Sequence, residues 1–120
     1  MYCKSKKKMI KVDIYHSMVL LVTKMSELKY IVKHNKDSIT SSEAIDLIEV
    51  WDNSIGFVYH LDNGRMLMCL KDTSIGIVCH ESVHLAHFIM NDVNIPISLD
   101  NTEVEAYLVE MIFDQVVKLL

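Results

Sequence analysis

The amino-acid sequence has little glycine, proline or cysteine. Its 120 residues include three glycines, one proline and three cysteines. Scarce glycine and proline, together with 51% hydrophobic residues, exclude a disordered low-complexity chain and favour a packed core. Cys3, Cys69 and Cys79 are odd in number and lack Cys-x-x-Cys spacing, which indicates neither a disulfide framework nor a cysteine zinc site. We expect reduced thiols, with Cys69 and Cys79 acting as small core residues.

Positive charge and long apolar runs are also scarce. The formal net charge is −4, and the one basic block, residues 4–11, lies at the N-terminus. Nucleic-acid binding needs a larger basic surface, so we expect no nucleic-acid partner and interpret the block as a solvated tail or strand edge. The longest apolar runs, such as residues 18–22, are far shorter than the about 20 residues of a membrane span, and no signal peptide is visible. We therefore expect a soluble, cytoplasmic protein with no membrane partner.

The periodicity of the sequence predicts strands and helices in one domain. The length is typical of a single core, so residues 1–120 are expected to form one domain. Alternating and β-branched residues predict a strand over residues 10–22, and helical spacing predicts a helix over residues 25–34. Residues 43–51 fit a helical turn or a strand. Residues 55–71 predict a β-hairpin, because Asn63-Gly64 lies between two apolar runs.

Two helices are predicted in the C-terminal half. The first runs from about residue 73 to residue 91, and the second from a cap at Asp100 or Asn101 to about residue 118. Pro96 separates them. The first contains IGIVCHESVHLAHF, residues 75–88, whose apolar residues surround the whole helical wheel. This pattern predicts a helix buried on nearly every side.

The first of these helices contains His80-Glu81-Ser82-Val83-His84, the pattern HExxH. Successive helical residues turn by about 100°, so His80 and His84 project from one face and both imidazoles can bind one ion. Glu81 lies on the flank, where it can hold a metal-bound water and act as general base. Zn²⁺ suits these ligands and lowers the pKa of bound water to about 7. The alternative is that the three side chains form hydrogen bonds in the core, although burial of unsatisfied polar groups favours a metal.

A third ligand must come from elsewhere, and the last helix offers Glu103 and Glu105. On a helical wheel Glu103 shares a face with Tyr107 and other polar residues, whereas Glu105 lies among apolar ones. The wheel permits Glu105 as a buried ligand or Glu103 at the start of a polar face that lines a cleft.

HESVH followed by Glu103-Val104-Glu105-Ala106-Tyr107 resembles the gluzincin zinc metallopeptidases. The resemblance covers residues 56–120 and is to the minimal members, the ImmA/IrrE-like peptidases and small phage-encoded metallopeptidases. It implies that Glu103, three residues before the small Ala106, is the third zinc ligand. It also implies a location in the host cytoplasm if the protein is phage-encoded. Tyr107 stands where the ImmA/IrrE-like proteins usually have Asn.

We therefore expect an α+β, zincin-like fold with a small antiparallel sheet packed on the HExxH helix and the C-terminal helix alongside. Residues 65–71 are the candidate edge strand that receives a peptide. The expected reaction is hydrolysis of a peptide bond in a protein or peptide substrate, with Zn²⁺ on His80, His84 and Glu103, and with Glu81 as base. The alternative is a catalytically weak or inactive zinc-binding module that acts as a protein-interaction or regulatory domain.

The sequence leaves open the roles of two nearby side chains, His87 and Tyr107. His87 is one turn beyond His84. A packing role is favoured for it, and the alternatives are a hydrogen bond to a metal-binding side chain, a hydrogen bond to an oxyanion, or metal binding in place of another ligand. Tyr107 is one turn after Glu103 and either donates a hydrogen bond to an oxyanion or simply packs. The sequence makes no prediction about oligomeric state.

Overall fold

The computed structural model describes residues 8–12, 15 and 17–120. In chain order the elements are β1 (Met9–Val12), β2 (Ser17–Val22), α1 (Met25–His34), α2 (Ser41–Asn53), β3 (Gly56–His60), β4 (Met66–Leu70), α3 (Ile75–Asp92) and α4 (Thr102–Leu119). A short 3-10 turn, Leu99–Asn101, leads into α4. The fold is α+β, as expected. Cys3 and most of the basic block, residues 4–7, lie outside the described residues.

The four strands form a mixed sheet in the order β1-β2-β4-β3. β1 pairs antiparallel with β2, and β3 pairs antiparallel with β4, but β2 and β4 are parallel. The expected purely antiparallel sheet is therefore wrong. The reason is the long connection between β2 and β4, which contains α1, α2 and β3. It lets β4 return beside β2 in the same direction, as parallel strands require.

The position of β4 corrects a second expectation. β4 is paired with β2 on one side and with β3 on the other, and all five of its residues are buried. Residues 65–71 are thus not an edge strand. Among the described strands, β1 and β3 form the two edges of the sheet.

Helices cover both faces of the sheet, which gives each face its own apolar core. The strand residues on the side of α3 and α4 include Val19, Leu21, Met66, Met68 and Leu70. Those on the side of α1 and α2 include Leu20, Val22, Leu67 and Cys69. Cys69 is buried as expected, but Cys79 is exposed, so its predicted place in the core is wrong.

The local sequence signals account for most elements. The helix over residues 25–34 and the hairpin over residues 55–71 are confirmed, and Gly64 has φ 87° in the hairpin turn, a conformation that favours glycine. Residues 43–51 are helical within α2, which begins with a capping box between Thr40 and Glu43. The single strand predicted over residues 10–22 is instead two strands, β1 and β2.

The two C-terminal helices lie within two residues of their predicted bounds. They pack against each other, and α3 also packs against β3 and β4. Among the described residues, no helix is both long enough and apolar enough to cross a membrane.

Candidate metal centre

Among the described elements, the sheet and α4 are the ones that cover helix α3. Its buried stripe includes Val78, Leu85 and Ile89. The hydroxyl of Ser82 is buried in the same stripe and donates a 2.7 Å hydrogen bond to the Val78 carbonyl oxygen, so this polar group is satisfied. The expectation of a helix buried on nearly every side is wrong, because apolar residues around a wheel do not determine which sides neighbouring elements cover. The remaining side, with both histidines of the motif, is exposed (Ile75, Cys79, His80, His84).

The two histidines of the motif point their ring nitrogens at the same point in space. The Nε2 atoms of His80 and His84 lie 3.2 Å apart, and the ring centroids 4.8 Å apart. A zinc ion bound tetrahedrally at about 2.0–2.1 Å from each nitrogen separates two imidazole nitrogens by about 3.3 Å. The observed spacing fits a shared metal ion, and it also fits a hydrogen bond from one ring to the other.

Glu81 is buried beside this pair, with only 3% of its surface exposed. Its Oε2 atom is buried and has no hydrogen-bond partner in the described structure. Burial raises the pKa of Glu81, while His84 and His80 oppose part of that rise. Ligand atoms of His80, Glu81 and His84 lie within 4.8 Å of one another. A buried carboxylate oxygen without a partner needs a cation or a held water to satisfy it, and so this donor set fits a metal centre.

Gly56, the first residue of β3, leaves the space that Glu81 occupies. A Cβ atom at Gly56 would lie 3.2 Å from Glu81 Cγ and 2.9 Å from Ile77 Cγ2. β3 can therefore run close to α3 only without a side chain at this position. The sequence pattern assigned Gly56 no role; the available signal was a glycine at the start of a predicted strand, three residues after the end of α2.

A cleft of about 330 Å³ lies between β3 and the exposed side of α3. It is lined by Gly56, Phe57, Val58, His80, Glu81, His84 and Phe88. Its strand wall is the outer edge of β3, and no described strand pairs with that edge.

The hydrogen-bond pattern of the hairpin shows which backbone groups face this cleft side. The Ile55 carbonyl oxygen accepts from the Lys71 N–H at 3.0 Å, and the Leu61 N–H donates to the Arg65 carbonyl oxygen at 2.7 Å. Because alternate residues of an antiparallel strand face the same neighbour, residues 55, 57, 59 and 61 bond towards β4. The backbone N–H and carbonyl groups of Val58 consequently point away from β4, at the outer edge.

At the far end of β3, His60 ties the strand to the end of α3. His60 Nε2 lies 3.0 Å from Asp92 Oδ1, and His60 Nδ1 lies 3.0 Å from the Leu61 carbonyl oxygen. The His60 ring also lies against that of Phe88, with centroids 5.8 Å apart and the ring planes tilted by 42°. These contacts hold β3 along α3 over the length of the cleft.

The two candidate third ligands on α4 have different environments. Glu103 is exposed in the first turn. Glu105 is half-buried, and its Oε1 lies 3.3 Å from His87 Nε2. Glu105 also lines a groove of about 530 Å³ between α3 and α4, together with Cys79 and Val83. Neither glutamate joins the group formed by the three motif residues, although Glu105 is the one on the α3-facing side of α4.

His87 and Tyr107 lie outside the cleft. His87 Nε2 is buried and its contact with Glu105 is an ion-pair distance without hydrogen-bond geometry. Tyr107 is 47% exposed and lies with Met111 and Asp114 on the outer side of α4. The structure therefore brings neither side chain to the position of an oxyanion donor beside His80 and His84.

The site offers two nitrogen donors, a buried carboxylate beside them and unpaired backbone groups on an adjacent strand edge. Comparisons with protein-family models, with curated protein sequences and with solved structures find no match for this chain.

Proposed function

We propose that the protein is a zinc-dependent metallopeptidase that hydrolyses a peptide bond in a protein or peptide substrate in the cytoplasm. The observation that supports this most is the buried, unpartnered carboxylate of Glu81 beside two imidazoles whose Nε2 atoms are 3.2 Å apart. The resemblance of the motif to minimal gluzincins, the ImmA/IrrE-like and small phage-encoded peptidases, agrees with this proposal.

In this proposal His80 and His84 hold the zinc ion, and a carboxylate from α4 completes the donor set. The resemblance favours Glu103 for that role, whereas the half-buried position of Glu105 against α3 favours Glu105. Bound zinc supplies Lewis acidity and a water of lowered pKa.

Glu81 performs the proton transfers. Its carboxylate accepts a proton from the water that attacks the peptide carbonyl carbon, and it then gives that proton to the leaving amine. Burial against Gly56 fixes the carboxylate beside the two histidines, so little reorganisation is needed when the substrate arrives.

The substrate binds as an extended strand along β3. The outward-facing backbone groups of Val58 pair with the peptide backbone, which lays the peptide over the cleft floor formed by His80, Glu81 and His84. In this proposal β3, and not residues 65–71, is the edge strand that pairs with the peptide.

A catalytically weak or inactive zinc-binding module that acts as a protein-interaction or regulatory domain is the second candidate. It is favoured by one observation: the group of nearby ligand atoms contains only α3 residues, without a carboxylate from α4. A two-histidine site without a third protein ligand binds zinc weakly.

Peptide cleavage by the Glu81→Gln variant separates the two candidates. The zinc-loaded wild-type protein is expected to cleave members of a peptide library, as mass spectrometry of the products shows. Glu81→Gln keeps its zinc but loses cleavage by a factor of about 10²–10⁴, because the amide cannot accept the proton. Glu49→Gln, at an exposed position of α2 on the opposite face of the sheet, is the matched control and keeps full activity. Full activity in Glu81→Gln contradicts the mechanism, and a wild-type protein that binds zinc but cleaves nothing favours the module.

A further inference from the structure

Helices α1 and α2, on the opposite face of the sheet from the metal centre, enclose a second groove. Its volume is about 660 Å³, within the usual range of about 300–1,000 Å³ for ligand sites. The proposed peptidase activity makes no use of this face. The groove residues are Lys29, Val32, Lys33, Lys36, Ile39, Thr40, Ser41, Ala44 and Ile48.

The floor of the groove is apolar. Val32, Ala44 and Ile48 are half-buried and present carbon atoms to the groove, and the buried Ile39, 4% exposed, lies at its base. An apolar partner side chain placed there would gain about 25 cal/mol for each Å² of apolar surface removed from water. The floor therefore favours an apolar occupant.

The rim of the groove is positively charged. Lys29 and Lys33 are one helical turn apart on α1, and Lys36 follows the end of that helix. All three are exposed, and none has an ion-pair partner among the residues that the structure describes. The chain as a whole has a net charge of −4, so this is a local concentration of positive charge.

Of the described residues that line the groove, none is acidic, although the exposed Asp37 follows Lys36 in the sequence. Glu43, in the first turn of α2, is already engaged: its Oε1 accepts from the Thr40 N–H at 3.0 Å and its Oε2 from the Asp62 N–H at 2.9 Å. Thr40 and Ser41 place the N-terminus of α2 at the groove, but the Glu43 carboxylate in that first turn offsets the helix dipole, so the positive potential comes from the three lysines.

We propose that this groove binds a helical segment of a partner protein that has apolar residues on one face and Asp or Glu residues beside them. The apolar residues enter the floor between α1 and α2, and the carboxylates pair with Lys29, Lys33 and Lys36. A floor recessed between two helices and flanked by lysines favours a third helix with apolar and acidic residues over a flat membrane surface. The inference is independent of the peptidase proposal, since the two sites lie on opposite faces of the sheet.

Fluorescence anisotropy with the full chain tests this binding. The probe is a labelled synthetic peptide with leucines at helical spacing and flanking glutamates. The protein is expected to bind it saturably, with an affinity that falls as salt is added. Two control peptides are each expected to bind at least about tenfold more weakly. The one with lysines in place of the glutamates loses the charge pairing, and the one with serines in place of the leucines loses the apolar contact.

Charge-reversed variants locate the binding. Lys29→Glu/Lys33→Glu is expected to weaken binding at least about tenfold. Lys71→Glu/Lys118→Glu makes the same charge change at exposed lysines outside the groove and is expected to bind as the wild type does. Ala44→Phe, which fills the floor without changing charge, is expected to weaken binding as well. Circular dichroism checks that each variant is folded, and the exposed lysine variants decide the question if Ala44→Phe does not fold.

Several results would overturn the inference. These are no binding of the acidic peptide, equal binding of the control peptides, and unchanged binding by Lys29→Glu/Lys33→Glu. Stronger binding to vesicles that contain phosphatidylserine than to the peptide would identify an anionic membrane surface as the occupant instead. Self-association that the same double variant abolishes would identify a second copy of this chain.

Discussion

Gly56 lies so close to Glu81 that a methyl group on Gly56 would crowd the Glu81 side chain. A Cβ atom on Gly56 would lie 3.2 Å from Glu81 Cγ and 2.9 Å from Cγ2 of Ile77, one turn before Glu81 in α3. The strand edge and the candidate catalytic carboxylate therefore depend on each other for their positions.

Gly56→Ala is expected to destabilise the fold by about 1–3 kcal/mol through overpacking, and to lower peptidase activity because Glu81 is displaced. Zinc binding is expected to persist, since neither His80 nor His84 is among the atoms that the added methyl group meets. Denaturant unfolding and a cleavage assay measure the two effects.

Gly76→Ala is the matched control. Nothing lies within 4 Å of a Cβ atom at Gly76, which is an exposed position in the first turn of α3. This variant is expected to stabilise the fold by about 0.5–1 kcal/mol, because alanine is the better helix former. Equal stability and activity of the two alanine variants would contradict the close approach of β3 and Glu81.

Glu43 joins the start of α2 to the hairpin turn and is expected to make stability depend on pH. Burial raises the pKa of Glu43, but hydrogen bonds from the Thr40 N–H, the Asp62 N–H and the Thr40 hydroxyl outweigh it, and the pKa lies below the ordinary value of 4.5. A lowered pKa in the folded state gives stability that is present above about pH 4.5 and is lost as the pH falls through the folded-state pKa.

Glu43→Gln is therefore expected to lose about 1–2 kcal/mol of unfolding free energy at pH 7, and this difference from the wild type shrinks below about pH 4.5. Urea unfolding over a series of pH values measures it. Glu49→Gln, at an exposed position of α2, is expected to change little. A difference that stays constant down to low pH would show that the Glu43 carboxylate charge is not what stabilises this region.

The contrast between Glu103 and Glu105 gives a prediction about the third ligand. Glu105 faces α3 and lies 3.3 Å from His87, whereas Glu103 is exposed in the first turn of α4. Glu105→Ala is expected to weaken zinc binding by about 10–100-fold, and Glu103→Ala to weaken it less. Competition with a zinc-sensitive dye measures both affinities. A larger loss in Glu103→Ala would support the ligand implied by the resemblance and would require α4 to turn when zinc binds.

The hairpin and α1 could be predicted because their signals are local, namely a turn dipeptide and helical spacing. The pairing of β2 with β4 could not, since it joins Val19 to Met66 across α1, α2 and β3 and depends on how those elements pack. The helical state of residues 43–51 was available in the sequence, because Thr40-Ser41-Ser42-Glu43 is a capping-box pattern.

The site was predictable only in part, for a similar reason. The spacing of His80 and His84 alone predicts that their rings meet, and they do. Which motif residues are buried depends on the elements beside α3: β3 buries Glu81, and the two histidines remain exposed. The close approach of Gly56 to Glu81 follows from that packing, and nothing in the HExxH pattern predicts it.

The zinc content of the purified protein tests the central claim most directly. After removal of metal and reconstitution with zinc, the wild-type chain is predicted to hold about one zinc ion, measured by mass spectrometry of the element. His80→Ala and His84→Ala are predicted to lose it, while His34→Ala, on the exposed surface of α1, keeps it. A wild-type chain that binds no zinc, or zinc retained unchanged in His80→Ala and His84→Ala, would contradict the account.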